Sequence, residues 1–232
     1  MFEALLHLEF TPFLLSFKLA SITTAILFSI SLFIAWNLSQ TQSRYKPIIE
    51  AITALPIVLP PSVLGFYILF ALSHNSPIGA FFYDYFGIKM VFNFTGLVIA
   101  SCFYSLPFMV QPLQSGFEAL PKNMLEASYI AGKSKLTTLF MVALPNIKPS
   151  LMTAIVITFA HTVGEFGVVL MVGGSIPGQT KVASVAIYEM VEIMDYTSAH
   201  IYSGIMVLLS FLVLLCVYVF NRKQAHRIGG IA

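Results

Sequence analysis

His161 and Glu165 stand four residues apart inside the apolar run TAIVITFAHTVGEFGVVLMVGG. That spacing puts both on one helical face, where imidazole and carboxylate can pair. An ionised carboxylate inside a membrane span costs several kcal/mol unless paired or wetted, so such a residue marks a functional position by default. Three roles suit the pair: a proton relay, a structural bond to a neighbouring helix, or part of a path and its gate. A catalytic dyad is disfavoured, because no nucleophile or metal cluster accompanies it. Cys102 and Cys216 lie far apart in apolar runs and read as small hydrophobes, so neither a disulfide nor a metal site is expected. A second candidate, Gly132-Lys133-Ser134, ends like the phosphate-binding loop G-x-x-x-x-G-K-[ST]. The first glycine of that loop would fall at Ala127 and no strand precedes it, so the chain is expected to hold no nucleotide of its own.

The elements that must position these residues are membrane helices. Of the 232 residues 58% are hydrophobic and only 9% charged, too few charges to cover a water-facing surface. The mean hydropathy of +0.87 agrees. Five stretches are long enough to cross a hydrocarbon layer, which takes about 20 helical residues. They run from Pro12 to Trp36, Ile48 to Leu72, Val91 to Val110, Ile147 to Val172 and Ile201 to Phe220. The first is too long for a signal peptide and lacks a basic lead, since Glu3 and Glu9 precede it.

Charge placement gives the orientation. Arg44, Lys46, Lys122, Lys133, Lys135, Lys148, Arg222, Lys223 and Arg227, nine of the twelve Lys and Arg residues, fall on one side of this five-span arrangement. Positive charge marks the cytoplasmic side, so the N-terminus is expected outside and the C-terminus inside. Lys89 and Lys181 remain outside, and Lys18 sits near the outer end of the first helix, where it can snorkel. With no repeat or low-complexity tract, residues 1–232 read as a single all-α polytopic membrane domain. The outer segment Pro77 to Lys89 carries Phe81, Phe82, Tyr83, Tyr85 and Phe86, suited to the headgroup layer. After Pro177-Gly178, Glu189, Glu192 and Asp195 recur at i, i+3, i+6, which predicts a short surface helix with one acidic face. Segment 181–198 is either a solvated face or a docking face.

Proline and loop chemistry single out two further segments. Leu55-Pro56-Ile57-Val58-Leu59-Pro60-Pro61-Ser62 holds three prolines within six residues, which predicts a bend in the second span. Broken backbone in a membrane must be buried in protein or line a cavity, so Pro60, Pro61 and Ser62 join His161, Gly164, Glu165 and Gly167 as candidates for the path or its gate. The inner segment 111–148 is the longest connection. Leu125, Ile130, Leu136 and Leu139 give it an intermittent apolar face, and Gly132, costing about 1 kcal/mol inside a helix, predicts a turn between two short helices.

Glu126-Ala127-Ser128, Gly132 and Val142-Ala143-Leu144-Pro145 resemble, at matching spacing, the loop of importer-type ABC permeases. The family pattern is Glu-Ala-Ala, three residues, Gly, nine residues, Ile, any residue, Leu-Pro. Ser128 departs from the second Ala and Val142 from Ile. The resemblance implies a type I ABC importer transmembrane domain in which Glu126, Ala127, Ser128, Gly132, Leu144 and Pro145 couple to an ATPase subunit. It also implies two copies of this chain in the inner membrane, a pair of ATPase subunits inside and a periplasmic binding protein outside. Lipid is the remaining partner, with no nucleic acid and no cofactor on the chain itself. Leu55–Gly65, Gly164–Thr180 and the outer Tyr83-Asp84-Tyr85-Phe86-Gly87-Ile88 are similar to molybdate permeases. Molybdate is the implied cargo, delivered by a molybdate-binding protein; sulfate or tungstate is the alternative. An anionic Glu165 would repel such cargo unless it is neutralised or forms part of a closed gate. A secondary transporter using Glu165 and His161 as a proton relay is the rival class, and it leaves the loop spacing unexplained.

Overall fold

A computed structural model describes residues 9–228, with side chains described as far as residue 215 and at Tyr218. Glu3 and the side chains of Cys216, Arg222, Lys223 and Arg227 lie outside the described residues. Among the described residues the chain is helical, without strands. In order, it runs α1 (Thr11–Gln40), α2 (Lys46–Val58), α3 (Pro61–Leu72), α4 (Pro77–Phe86) and α5 (Phe94–Glu118). Next come α6 (Lys122–Ile130), α7 (Lys135–Thr138), α8 (Lys148–Gly164), α9 (Gly167–Gly173), α10 (Ala183–Glu192) and α11 (Tyr196–Ile228). Between α7 and α8 lie a π-helical turn, Leu139–Ala143, and a last turn, Leu144–Asn146.

Among the described residues three helices are long and apolar enough to cross a membrane alone: α1, α5 and the first part of α11. Two bent pairs bring the total to five when each counts as one crossing, in keeping with the expected number. The third crossing continues as helix to Glu118, beyond the expected end at Val110, so segment 111–148 begins as helix and only later becomes a connection. The expected fourth span is not one helix. It is α8 followed by α9, with Glu165 and Phe166 between them and an 84° bend where α8 begins, near Ile147.

Proline sets much of this punctuation. α1, α2, α3, α4 and α8 each carry proline at one of their first two positions, where the missing N–H is no loss. Pro56 is accommodated inside α2, and the 110° bend comes three residues later. A residue before proline is pushed out of the helical region. Leu59 precedes Pro60 and Pro60 precedes Pro61, and both residues are extended, with ψ of 136°. The helix ends at Val58 and restarts with Pro61 as its first residue.

The core is a three-helix stack of α1, α5 and α8. Leu27, Leu32, Trp36, Met109, Leu113, Phe117 and Ala154 are buried in it, with Trp36 set edge-on to Phe117 at 5.1 Å. Leu125, Leu139, Ala143 and Ile147 join the same cluster, so the connection from α5 to α8 is anchored to the bundle. Ser16 of α1 ties in α10, accepting from the Ala183 N–H at 2.9 Å while donating to Pro12. Lys18 lies over the Phe94 ring at 4.7 Å, a cation–π contact at the start of α5 that serves in place of free snorkelling.

The surface helix α10 forms as expected but is shorter than the acidic spacing implied. It stops at Glu192, Met194 adopts a φ of +62°, and Asp195 instead accepts from the Ser198 N–H at 3.1 Å to open α11. The three acids share no common face. Glu189 pairs with Lys181, and Glu192 accepts from the Tyr188 hydroxyl at 2.6 Å.

Close packing of α5 on α8 depends on Gly116, where an added Cβ would lie 2.6 Å from Ser150 Cβ. Gly116→Leu should therefore cost about 1–3 kcal/mol through overpacking. Thermal unfolding of the detergent-solubilised protein should show a midpoint lower by about 2–4 °C per kcal/mol. An unchanged midpoint would contradict this packing.

Candidate functional site

Two of the breaks in the membrane helices, at Leu59–Pro60 and at Glu165–Phe166, lie against each other. α9 packs along α3, and a Cβ built at Gly167 would lie 2.7 Å from Pro61 Cβ. One turn further on, a Cβ at Gly65 would lie 2.8 Å from Met171 Cβ. The residue following the Glu165–Phe166 break thus touches the residue following the Leu59–Pro60 break. Glycine at both positions lets the backbones approach, as in other small-residue contacts between membrane helices. Of the path candidates, Pro61 and Gly167 are brought together directly. Pro60 and Ser62 are exposed beside them, and Gly164 faces open space.

Glu165 is enclosed at this junction, 4% exposed. α8 ends at Gly164, and Glu165 is extended at φ −66° and ψ 132°. Leaving the helix removes it from the face that carries His161. The expected pairing of these two residues is not made, because the i, i+4 relation holds only while the helix continues. The Glu165 backbone carbonyl accepts from the Ser184 hydroxyl at 2.6 Å, which binds the break to α10. Among the described residues its two carboxyl oxygens have no hydrogen-bond partner. The Ser101 hydroxyl of α5 stands beside them without hydrogen-bonding geometry.

His161 turns instead toward α5. Its Nδ1 lies 3.0 Å from Ser105 Oγ, which is also 2.9 Å from Thr162 Oγ1. The ring stacks on Phe108 at 3.9 Å and lies 4.8 Å from Tyr104. His161 is therefore a packed and bonded side chain that holds α8 to α5. Ser101 and Ser105 were absent from the sequence candidates. Their signal is present all the same: two hydroxyls at i, i+4 within an apolar helix.

The inner loop forms the turn that Gly132 implied. α6 ends at Ile130, Gly132 takes a φ of +77°, and Ser134 caps α7 by accepting from the Thr137 N–H. Ser128 is buried and its Oγ lies 2.9 Å from Thr138 Oγ1, so the hydroxyl that departs from the family's alanine fastens α6 to α7. Leu125 and Ser128 face inward, while Glu126, Ala127 and Pro145 are exposed and Leu144 is half-buried. Ile130 and Leu136 project with 87% and 59% exposure, an apolar tip on an otherwise polar unit. A cleft of about 540 Å³ is lined by Lys46, Glu118, Lys122, Glu126 and Tyr129 together with Phe117, Leu120 and Leu125 among others.

Residues 28–229 match the family model described as "Binding-protein-dependent transport system inner membrane component". The chain is 48% identical over 212 residues to the "Molybdenum transport system permease protein ModB" of Azotobacter vinelandii, covering 91% of this chain and 93% of that protein. It is 30% identical over 211 residues to the "Probable sulfate transport system permease protein cysT" of Chlorella vulgaris, covering 91% of this chain and 79% of the relative. Among solved structures, it shares its fold with a bacterial ABC transporter involved in import of the acidic polysaccharide alginate. The TM-score there is 0.76 at 14% identity, over 92% of this chain and 78% of that one.

A buried carboxyl with neither oxygen bonded opposes folding. Glu165→Met, similar in volume and without the orphaned acceptors, should raise the thermal midpoint in detergent by about 2–4 °C for each kcal/mol recovered. A lowered midpoint would show that the carboxyl has a stabilising partner.

Proposed function

This chain belongs to the family of binding-protein-dependent transport system inner membrane components, and from that premise we propose that it carries molybdate inward as the permease of an ATP-driven importer. Two copies would enclose the path. A pair of ATPase subunits would dock on Glu126–Pro145 at the Lys- and Arg-rich face, which the charge bias makes cytoplasmic, with the N-terminus outside. A periplasmic molybdate-binding protein would deliver the dianion on the opposite side. The chain contributes alternating access and no chemistry: nucleotide is bound and hydrolysed on the partner subunits.

The observation that carries this reading is the α6–Gly132–α7 unit, which presents an apolar tip outward and is fastened inward to the bundle core. Exposed Glu126 and Ala127 on α6, with Pro145 beyond the π-helical turn, supply the docking face. Ser128, Gly132 and Leu144 set its shape. Closure of the ATPases would draw the two copies' loops together and shift α5 and α8, to which the loops are fixed. The junction of Pro60, Pro61 and Ser62 with Gly164, Glu165 and Gly167 is then the part of the path that opens and closes, with His161 keeping α8 on α5. Molybdate as cargo is supported by the Azotobacter relative and by the runs Leu55–Gly65 and Gly164–Thr180. The sulfate-named relative supports sulfate less strongly, at 30% identity.

The test is reconstitution with ATPase and binding protein in vesicles. Molybdate should stimulate ATP hydrolysis and uptake more than equimolar sulfate; ion-driven uptake without the ATPase would overturn the importer reading. Gly132→Pro cannot keep a φ of +77°, since proline holds φ near −65°. That variant should insert into the membrane normally yet lose ATPase docking or coupled uptake. Wild-type uptake by it would contradict the assignment of the loop.

A further inference from the structure

The end of α2 opposite its bend carries a polar clamp to which the transport cycle above gives no role. Lys46 Nζ donates to Glu118 Oε1 at 2.8 Å and lies 3.7 Å from Glu50 Oε1. Gln114 Nε2 donates to Glu50 Oε1 at 2.5 Å and to Glu118 Oε1 at 3.0 Å. Two carboxylates thus share one ammonium and one amide, with two of the four residues on α2 and two on α5.

An isolated surface ion pair contributes only about 0–1 kcal/mol. Three features set this cluster apart. First, α2 packs chiefly on α5 and buries only Thr53 and Pro56, so little apolar contact holds it. Second, its far end is the 110° bend against which Gly167 packs through Pro61. Third, α5 ends at Glu118 and only three residues separate that end from α6. The cleft lined by Lys46 and Glu118 is also lined by Glu126 and Tyr129 of α6.

We propose that Lys46, Glu50, Gln114 and Glu118 are positioning residues that transmit movement of α6 to α2, and through α2 to the bend at Leu59–Pro60. The proposal rests on the reading of α6–α7 as the ATPase socket. α2 is a rod of 13 residues, about 20 Å long. Held at one end by the clamp and free to pivot at the other, it carries any displacement of Glu118 to the break. The clamp touches no cargo; it fixes how far the path follows the loop.

The experiment uses the complete complex in vesicles, with molybdate as the probe and uptake measured alongside ATP hydrolysis. In Lys46→Gln and Glu118→Gln the ATPase subunits should stay bound and hydrolysis should continue. Molybdate taken up per ATP should fall about fivefold or more, the lower end of ordinary coupling between sites. The exchange Lys46→Glu with Glu118→Lys keeps one cation between two acids and should restore the ratio to within about twofold, the signature of direct interaction. A wild-type ratio in the single variants, or an exchange no better than they are, overturns the proposal. Loss of ATPase binding that the exchange leaves unrepaired overturns it too. Failure of the importer reading is separately visible, because the unmodified complex would then show no ATP-driven uptake.

Discussion

Lipid offers no hydrogen bonds, so every interruption of a membrane helix must be covered by protein or wetted by a cavity. Two such interruptions, at Leu59–Pro60 and at Glu165–Phe166, lie against each other, with Glu165 enclosed and Pro60 and Ser62 exposed beside it. Gly167 against Pro61 is the contact on which the remainder turns. A side chain on Gly167 would part α9 from α3. The neighbouring helices are arranged around that contact: α5 supplies Ser101 and Ser105, and α10 supplies Ser184 to the carbonyl of Glu165.

The junction is held at modest energetic advantage. Glu165 is enclosed with both oxygens unbonded, a local conflict of the kind that natural proteins retain at functional positions. Beside it the Ser101, Thr158 and Ser175 hydroxyls are also buried without partners among the described residues, while other neighbours are bonded. His161 is stacked and bonded to α5, Thr162 returns a bond to Thr158, and Thr180 closes the turn after α9 by donating to the Gly173 carbonyl. A poorly satisfied centre suits a region that changes partners during a cycle.

Much of this was legible in the chain. Hydropathy located the three long apolar helices and the two bent pairs that bring the described crossings to as many as five, because lipid rewards apolar helices irrespective of tertiary detail. Pro60-Pro61 located the first break, because proline acts on its own backbone and on the residue before it. Gly132 located the loop's turn for a similar local reason. The second break was less visible: Gly164 and Gly167 each weaken a helix by only about 1 kcal/mol, which tertiary packing can override in either direction. The partner of His161 was hidden because it comes from α5, 56 residues away, and periodicity within one helix carries no record of it. The acidic spacing at 189–195 misled, since Asp195 serves as the cap of the next helix.

The central claim is that the junction beside Pro61 opens and closes in step with nucleotide on a partner subunit. Cysteine placed at exposed Ser62, in a chain whose Cys102 and Cys216 have been replaced, reports on it directly. Labelling by a membrane-impermeant thiol reagent should be slow from the outside in the nucleotide-free complex and fast when the ATPases are trapped with ATP. Labelling that is indifferent to nucleotide would contradict the claim.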